Sequence, residues 1–143
     1  MADQSFSNHA KLVPSFHFAS LPAALVVVVY FGTQLREGIS TGNVMMLLLA
    51  LVAFSGLMHA RTFALGVQDR LIRLEERIRL GAVLPDDLRA RVDQLTTDQL
   101  IALRFASDAE LPDLVSRTLS GELANRKAIK AAVGSWRADH QRI

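Results

Sequence analysis

The chain has 143 residues, 50% of them hydrophobic and 21% charged, with a formal net charge of +2. It contains no cysteine, which excludes disulfides, zinc fingers and thiol catalysis. Met1 to Ala60 holds only Lys11 and Arg36 against Asp3 and Glu37, whereas fourteen basic and twelve acidic residues follow from Arg61 onward; their signs are interspersed, so the high pI says little for nucleic acid as a partner.

After a short N-terminal segment (1–15), the first apolar block is FHFASLPAALVVVVYFGTQL, Phe16 to Leu35, and the second is VMMLLLALVAFSGLMHA, Val44 to Ala60. As helices they are roughly 30 and 26 Å long, near the thickness of a bilayer's hydrocarbon core. The rest of the chain is too short and too amphipathic to wrap two helices that are apolar on every face. The blocks therefore read as a transmembrane hairpin with spans at 16–35 and 44–60. A cleaved signal peptide fits poorly, because TQLREG offers no small-residue cleavage site. Pro22 removes the hydrogen bond to the Phe18 carbonyl, which predicts a helix from about Ser15 bent at Pro22. In the link REGISTGN, Gly38 and Gly42 act as breakers and Asn43 as a cap for the second helix.

Orientation follows from the basic residues beside each membrane end. Arg61, Arg70, Arg73, Arg77 and Arg79 flank the second span, whereas the link has Arg36 alone, offset by Glu37. Both termini are expected on the cytoplasmic side.

The second helix does not end with its apolar block. Leu57, Ala60, Ala64, Val67, Leu71, Leu74 and Ile78 keep an alternating three-four spacing, the seam of a helix that meets another helix. No proline interrupts it, and Asp69 with Arg73 and Glu75 with Arg79 are helix-supporting pairs at i,i+4. One helix from about Val44 to Leu80 is predicted, its cytoplasmic extension covering 61–80 and Arg61 snorkelling into the headgroups. Gly56, Ala60 and Ala64 stand four apart, the small-residue spacing that lets membrane helices approach closely. The seam either packs on this chain's own first span and tail or receives a second copy or a foreign subunit.

Beyond Gly81 a cytoplasmic helical tail (81–143) is predicted, with four short helices. Pro85 opens PDDLRARVDQL with Asp86 and Asp87 in its first turn. Thr96 with Gln99, and Ser107 with Glu110, stand at capping-box spacing, the second helix ending near Gly121. Asn125 caps RKAIKAAVGSW. The expected core is Leu88, Val92, Leu95, Leu100, Leu103, Phe105, Leu111, Leu114, Val115, Leu119, Ile129, Val133 and Trp136, and a fragment from about Asp86 is expected to fold by itself with marginal stability.

RFASDAELPDLV, KAIK, WRADHQRI and QDRLIRLEERIRL resemble an uncharacterised bacterial inner-membrane family of two spans followed by a cytoplasmic helical tail. The resemblance covers nearly the whole chain. It implies a bacterial inner-membrane protein and supplies no catalytic residue.

Signs of chemistry are few. There is no Gly-rich phosphate loop, nucleophile elbow or HExxH pair. Glu75 with Glu76, and Asp86 with Asp87, read as a solvated face and a helix start, since neighbours on a helix point about 100° apart. Arg104 and Asp108 read as a structural contact or cap. His17 and His59 fall at similar depth on the cytoplasmic side, where two imidazoles are able to ligate a haem or a magnesium pigment, although amphipathic rings also sit comfortably at a membrane edge. Arg126, Lys127, Lys130, Arg137 and Arg142 form a basic set that a lipid-surface or nucleic-acid reader would use, with Asp139 and the even charge mix against it.

The expected fold is thus all-α: a transmembrane helical hairpin whose long second helix continues into a small cytoplasmic helical domain. The expected function is a non-catalytic interaction module, an accessory subunit docked in the bilayer against other membrane-protein subunits or itself. No cofactor, metal, nucleic acid or small-molecule substrate is expected; the alternative is a small haem- or pigment-binding redox protein using His17 and His59.

Overall fold

A computed structural model of the chain describes residues 12–139. Residues 1–11 of the N-terminal segment, Lys11 among them, and Arg142 of the basic set lie outside the described residues. The fold is all-α and has two compact units, the first ending at Leu65 and the second beginning at Gly66.

The first unit opens with a π-helical turn, Ser15–Ser20, that runs directly into α1, Leu21–Glu37. The winding change sits where Pro22 predicts a disturbance. Leu21 donates to the Phe16 carbonyl, five residues back, and the Ser20 hydroxyl to the Ser15 carbonyl at 3.1 Å. A proline ring collides with the carbonyl four residues behind it, and the wider π turn is a way of relieving that collision without ending the helix.

Helix α2 is Thr41–Val83, extending past the predicted limits at both ends. Its cap is Ser40 and not Asn43: the Ser40 hydroxyl accepts from the Asn43 N–H at 3.1 Å, which makes Asn43 the third residue of the first turn. Gly81 falls inside the helix. The Arg61 guanidinium stands 5.6 Å above the Phe16 ring, so the far part of this unit's second helix returns to the start of its first, as a hairpin requires. Both the 23-residue run Ser15–Glu37 and the 43-residue α2 are long and apolar enough to cross a membrane. At 1.5 Å per residue α2 is about 65 Å long, roughly twice a hydrocarbon core.

In the second unit the predicted helix from Pro85 is divided into α3, Asp86–Arg89, and a 3-10 turn, Val92–Gln94. Arg91, at φ −108 and ψ 1, leaves the helical path, and the turn beyond it brings Val92 and Leu95 into the core. Helix α4, Thr97–Leu103, carries the predicted capping box: Thr96 Oγ1 accepts from the Gln99 N–H at 3.2 Å and Gln99 Oε1 from the Thr96 N–H at 2.8 Å. Helix α5, Leu111–Leu119, ends near Gly121 as predicted, a position whose φ of +87 favours glycine. Helix α6, Arg126–Ala132, is capped by Asn125, which accepts from the Lys127 and Ala128 N–H groups.

Ser107 does not cap α5. Its N–H donates to the Ser135 carbonyl at 3.1 Å, so the reciprocal bond of a capping box is already spent elsewhere. Glu110 accepts instead from three groups: the Ser107 hydroxyl at 3.2 Å and the Gly134 and Ser135 N–H groups at 3.0 and 2.8 Å. A Cβ at Gly134 would lie 2.8 Å from that carboxylate, so a larger residue there would push the Glu110 side chain away from its partners. The segment GSW, predicted as the end of a helix, is not helical: Gly134 and Ser135 form a bend, Trp136 pairs antiparallel with Ala106, and the Arg137 N–H donates to the Phe105 carbonyl at 2.7 Å. Glu110→Ala is expected to cost about 1.5–3 kcal/mol, because charge-assisted bonds are lost, and Ser107→Ala distinctly less. Denaturation of both variants measures this; equal losses would return the capping role to Ser107.

The core of this unit contains most of the predicted set. Leu100, Leu103, Phe105, Leu111, Val115 and Ile129 are wholly buried, Leu119 and Val133 pack at its margin, and Trp136 is half-buried with its ring stacked on Phe105 at 4.5 Å. Two further members are Leu80 and Leu84, 0% and 1% exposed, from the end of α2 and the link after it. Leu84 and Leu80 make a fragment starting at Asp86 incomplete, contrary to the expectation from its caps: caps satisfy helix ends, but they do not replace core side chains.

Candidate functional site

The part of α2 from Gly66 onward has two apolar faces. Ile72, Glu76 and Leu80 are buried. On the other side Val67, Leu71, Leu74 and Ile78 are 68%, 54%, 57% and 67% exposed. Since a helix turns about 100° per residue, Leu74 and Glu76 point about 160° apart. Among the described residues the tail thus fills one stripe and leaves the predicted seam largely exposed, with Leu71 at the edge of the cleft that the tail forms. Upstream, in the first unit, Leu57 and Ala64 are half-buried and Gly56 and Ala60 exposed.

Glu76 is the centre of the filled side. Its carboxylate meets Arg79 Nη1 at 3.1 Å and Arg137 Nη1 at 3.5 Å. Arg79 continues to Asp108 at 2.7 Å and donates to the Ala106 carbonyl at 2.7 Å, while Arg104, 6% exposed, pairs with Asp139 at 3.3 Å. Burial pushes the Glu76 carboxyl above the ordinary carboxylate range, against the pull of Arg79, Arg137 and Arg104. Glu75, its neighbour, is exposed. Glu76 is therefore not part of the solvated face expected for the pair: nothing local distinguishes the two glutamates, and Arg104 and Arg137, which join Arg79 around Glu76, come from distant parts of the chain.

Glu76, Arg79, Arg104, Arg137 and Asp139 line a cleft of about 600 Å³ with Gln68, Leu71, Ile72 and Glu75. Three guanidiniums balance the carboxylates of Glu76, Asp108 and Asp139, an arrangement that fastens α2 to the Arg104–Asp108 loop and to the final extended segment. Arg104 and Asp108 serve there as structural contacts. Among the described residues no group of three His, Asp or Glu side chains is placed to hold a metal ion.

The histidines are bound to their own helices. His17 Nδ1 lies 2.9 Å from the Val13 carbonyl and His59 Nδ1 2.8 Å from the Ser55 carbonyl, and their rings contact Phe16 and Phe63 respectively. Among the described residues no ring contact joins the two imidazoles. Of the basic set, Arg126 pairs with Asp98 at 2.7 Å, Arg137 with Glu76, and Lys130 lies 5.0 Å from the Phe105 ring, so these cations are engaged within the unit.

No curated protein and no solved structure matches the chain. A family model matches residues 1–143 from end to end. The chain, with its two long apolar helices and a helical tail, belongs to that family, the family of unknown function DUF6526.

Proposed function

We propose that this protein is a non-catalytic inner-membrane interaction module, an accessory subunit of a larger membrane complex in a bacterium, respiratory, photosynthetic or transport in kind. The observation that carries the reading is the bare stripe Val67, Leu71, Leu74 and Ile78 on a helix about twice as long as a bilayer core is thick. Solvent-exposed apolar residues at regular seam spacing are a helix-binding surface.

Membrane insertion is supported by what the first unit leaves uncovered. Leu25, Val26, Val29, Leu49 and Val52 are all more than half exposed, whereas the core helix of a water-soluble domain would hide such side chains. Polar side chains within the first span bond to their own backbone: Ser20 donates to the Ser15 carbonyl at 3.1 Å and Thr33 to the Tyr30 carbonyl at 2.7 Å. Hydrocarbon offers no other partner. Both termini lie in the cytoplasm on this reading, held by the arginines from Arg61 to Arg79. Reporter fusions after Gly38 and at Ile143 are expected on opposite sides; finding them on one side would end the hairpin reading.

Gentle detergent extraction of the native protein tests the subunit role. Companion proteins are expected to co-purify, and Leu74→Asp, which places an unpaired charge in the seam, is expected to remove whichever partner docks there, a foreign subunit or a second copy, at equal expression. A wild-type chain that purifies alone refutes the accessory-subunit role.

A further inference from the structure

We infer that the Val67–Ile78 face pairs with the same face of a second copy of this chain, helix parallel to helix. The inference rests on the membrane reading above and names the partner at the exposed stripe.

Three observations converge on a second copy. The stripe is a seam in the strict sense: with Leu71 and Ile78 as its a positions, Val67 and Leu74 are its d positions. The face opposite is already filled by Ile72, Glu76 and Leu80 against the tail, so a partner is free to approach this one. The flanks are complementary to themselves. Arg70 falls at a g position and Glu75 at the following e, both exposed, while neighbouring Arg77 and Arg79 are drawn off to Asp93 and Asp108.

In a parallel pair each g residue faces the e residue five positions on in the partner. Arg70 of each copy then meets Glu75 of the other, twice over by symmetry. An antiparallel pair sets g against g and brings the arginines at 70 and 77 together, at a cost in like-charge repulsion. Two copies inserted into one bilayer with the same topology are parallel in any case. Twelve residues of seam are short for an independent coiled coil, but confinement to one membrane raises the effective concentration of the second helix.

The absence of cysteine makes the test direct. Leu74→Cys, made in the full chain and oxidised in native membranes, is expected to yield a disulfide-linked band at twice the chain's mass; Arg73→Cys, off the seam, is expected to yield little. In the Leu74→Cys background, Arg70→Glu and Glu75→Arg are each expected to lower the yield several-fold, and the two together to restore it. Both sites are exposed, so folding is not at stake. A missing dimer band, equal yields at 73 and 74, or failure of the double exchange to restore the yield overturns the inference. Companion proteins that still co-purify when the dimer is missing would leave the interaction module standing with a foreign partner. A dimer without companions sustains the pairing and removes the accessory-subunit role.

Discussion

Glu76→Ala is expected to destabilise the second unit by about 3 kcal/mol, the lower end of what removing one partner of a buried ion pair costs. The low end applies because Arg79 keeps Asp108 and the Ala106 carbonyl, and Arg104 keeps Asp139; what is lost is the carboxylate shared by Arg79 and Arg137, together with the volume it filled. Glu76→Gln keeps the volume and is expected to cost less. It also carries a pH signature. The native Glu76 carboxyl binds its proton more tightly than in the unfolded chain, so this group's contribution to stability is greatest at and below the ordinary carboxylate value and declines as pH rises through the native one. Chemical denaturation of the full chain at several pH values should show that decline in the wild type and its absence in Glu76→Gln. A pH slope left intact by the glutamine would place the titrating group elsewhere.

A fragment starting at Asp86 is expected not to fold, whereas one starting at Gly66 is expected to unfold cooperatively. The shorter piece lacks Leu80 and Leu84, both essentially unexposed in the whole chain. Truncating a single buried leucine costs about 2–5 kcal/mol, and losing two approaches the 5–15 kcal/mol by which a domain is stable at all. It also lacks Glu76 and Arg79, and so leaves Arg137 and Asp108 without their partners. Circular dichroism during thermal unfolding checks both fragments. A sharp transition in the Asp86 fragment would show that the caps at Thr96 and Asn125 do more than the leucines.

The features readable from the chain in advance are those written over short distances. Two blocks of apolar residues separated by a glycine-bearing link specify two long helices, because every position favours the same burial and no proline falls between Val44 and Leu84. The Thr96 and Gln99 box and the Asn125 cap form as the spacing predicts, since a cap needs only residues within one turn. Ser107 and Glu110 stand at the same spacing and do something else. Their bonds are taken by Ser135 and Gly134, 24 to 28 positions along, and a distant backbone group that fits better wins over the local pattern.

By itself the sequence determined an all-α chain with two helices apolar enough to cross a membrane, a four-three seam along the second, and a capped helical tail. These follow from composition, period and one-turn spacing, which act without regard to the rest of the chain. Only the tertiary structure decided which of two stripes on α2 the tail covers. Ile72 and Leu80 were as available to a helix partner as Leu71 and Leu74, and the choice depends on where the tail's core closes. It also decided that Glu76 is buried and Glu75 is not, because the arginine 61 positions away that helps to neutralise it arrives only when the last segment pairs with Ala106. A carboxylate is removed from water only where opposite charge has already been assembled, and that assembly is a property of the packed chain.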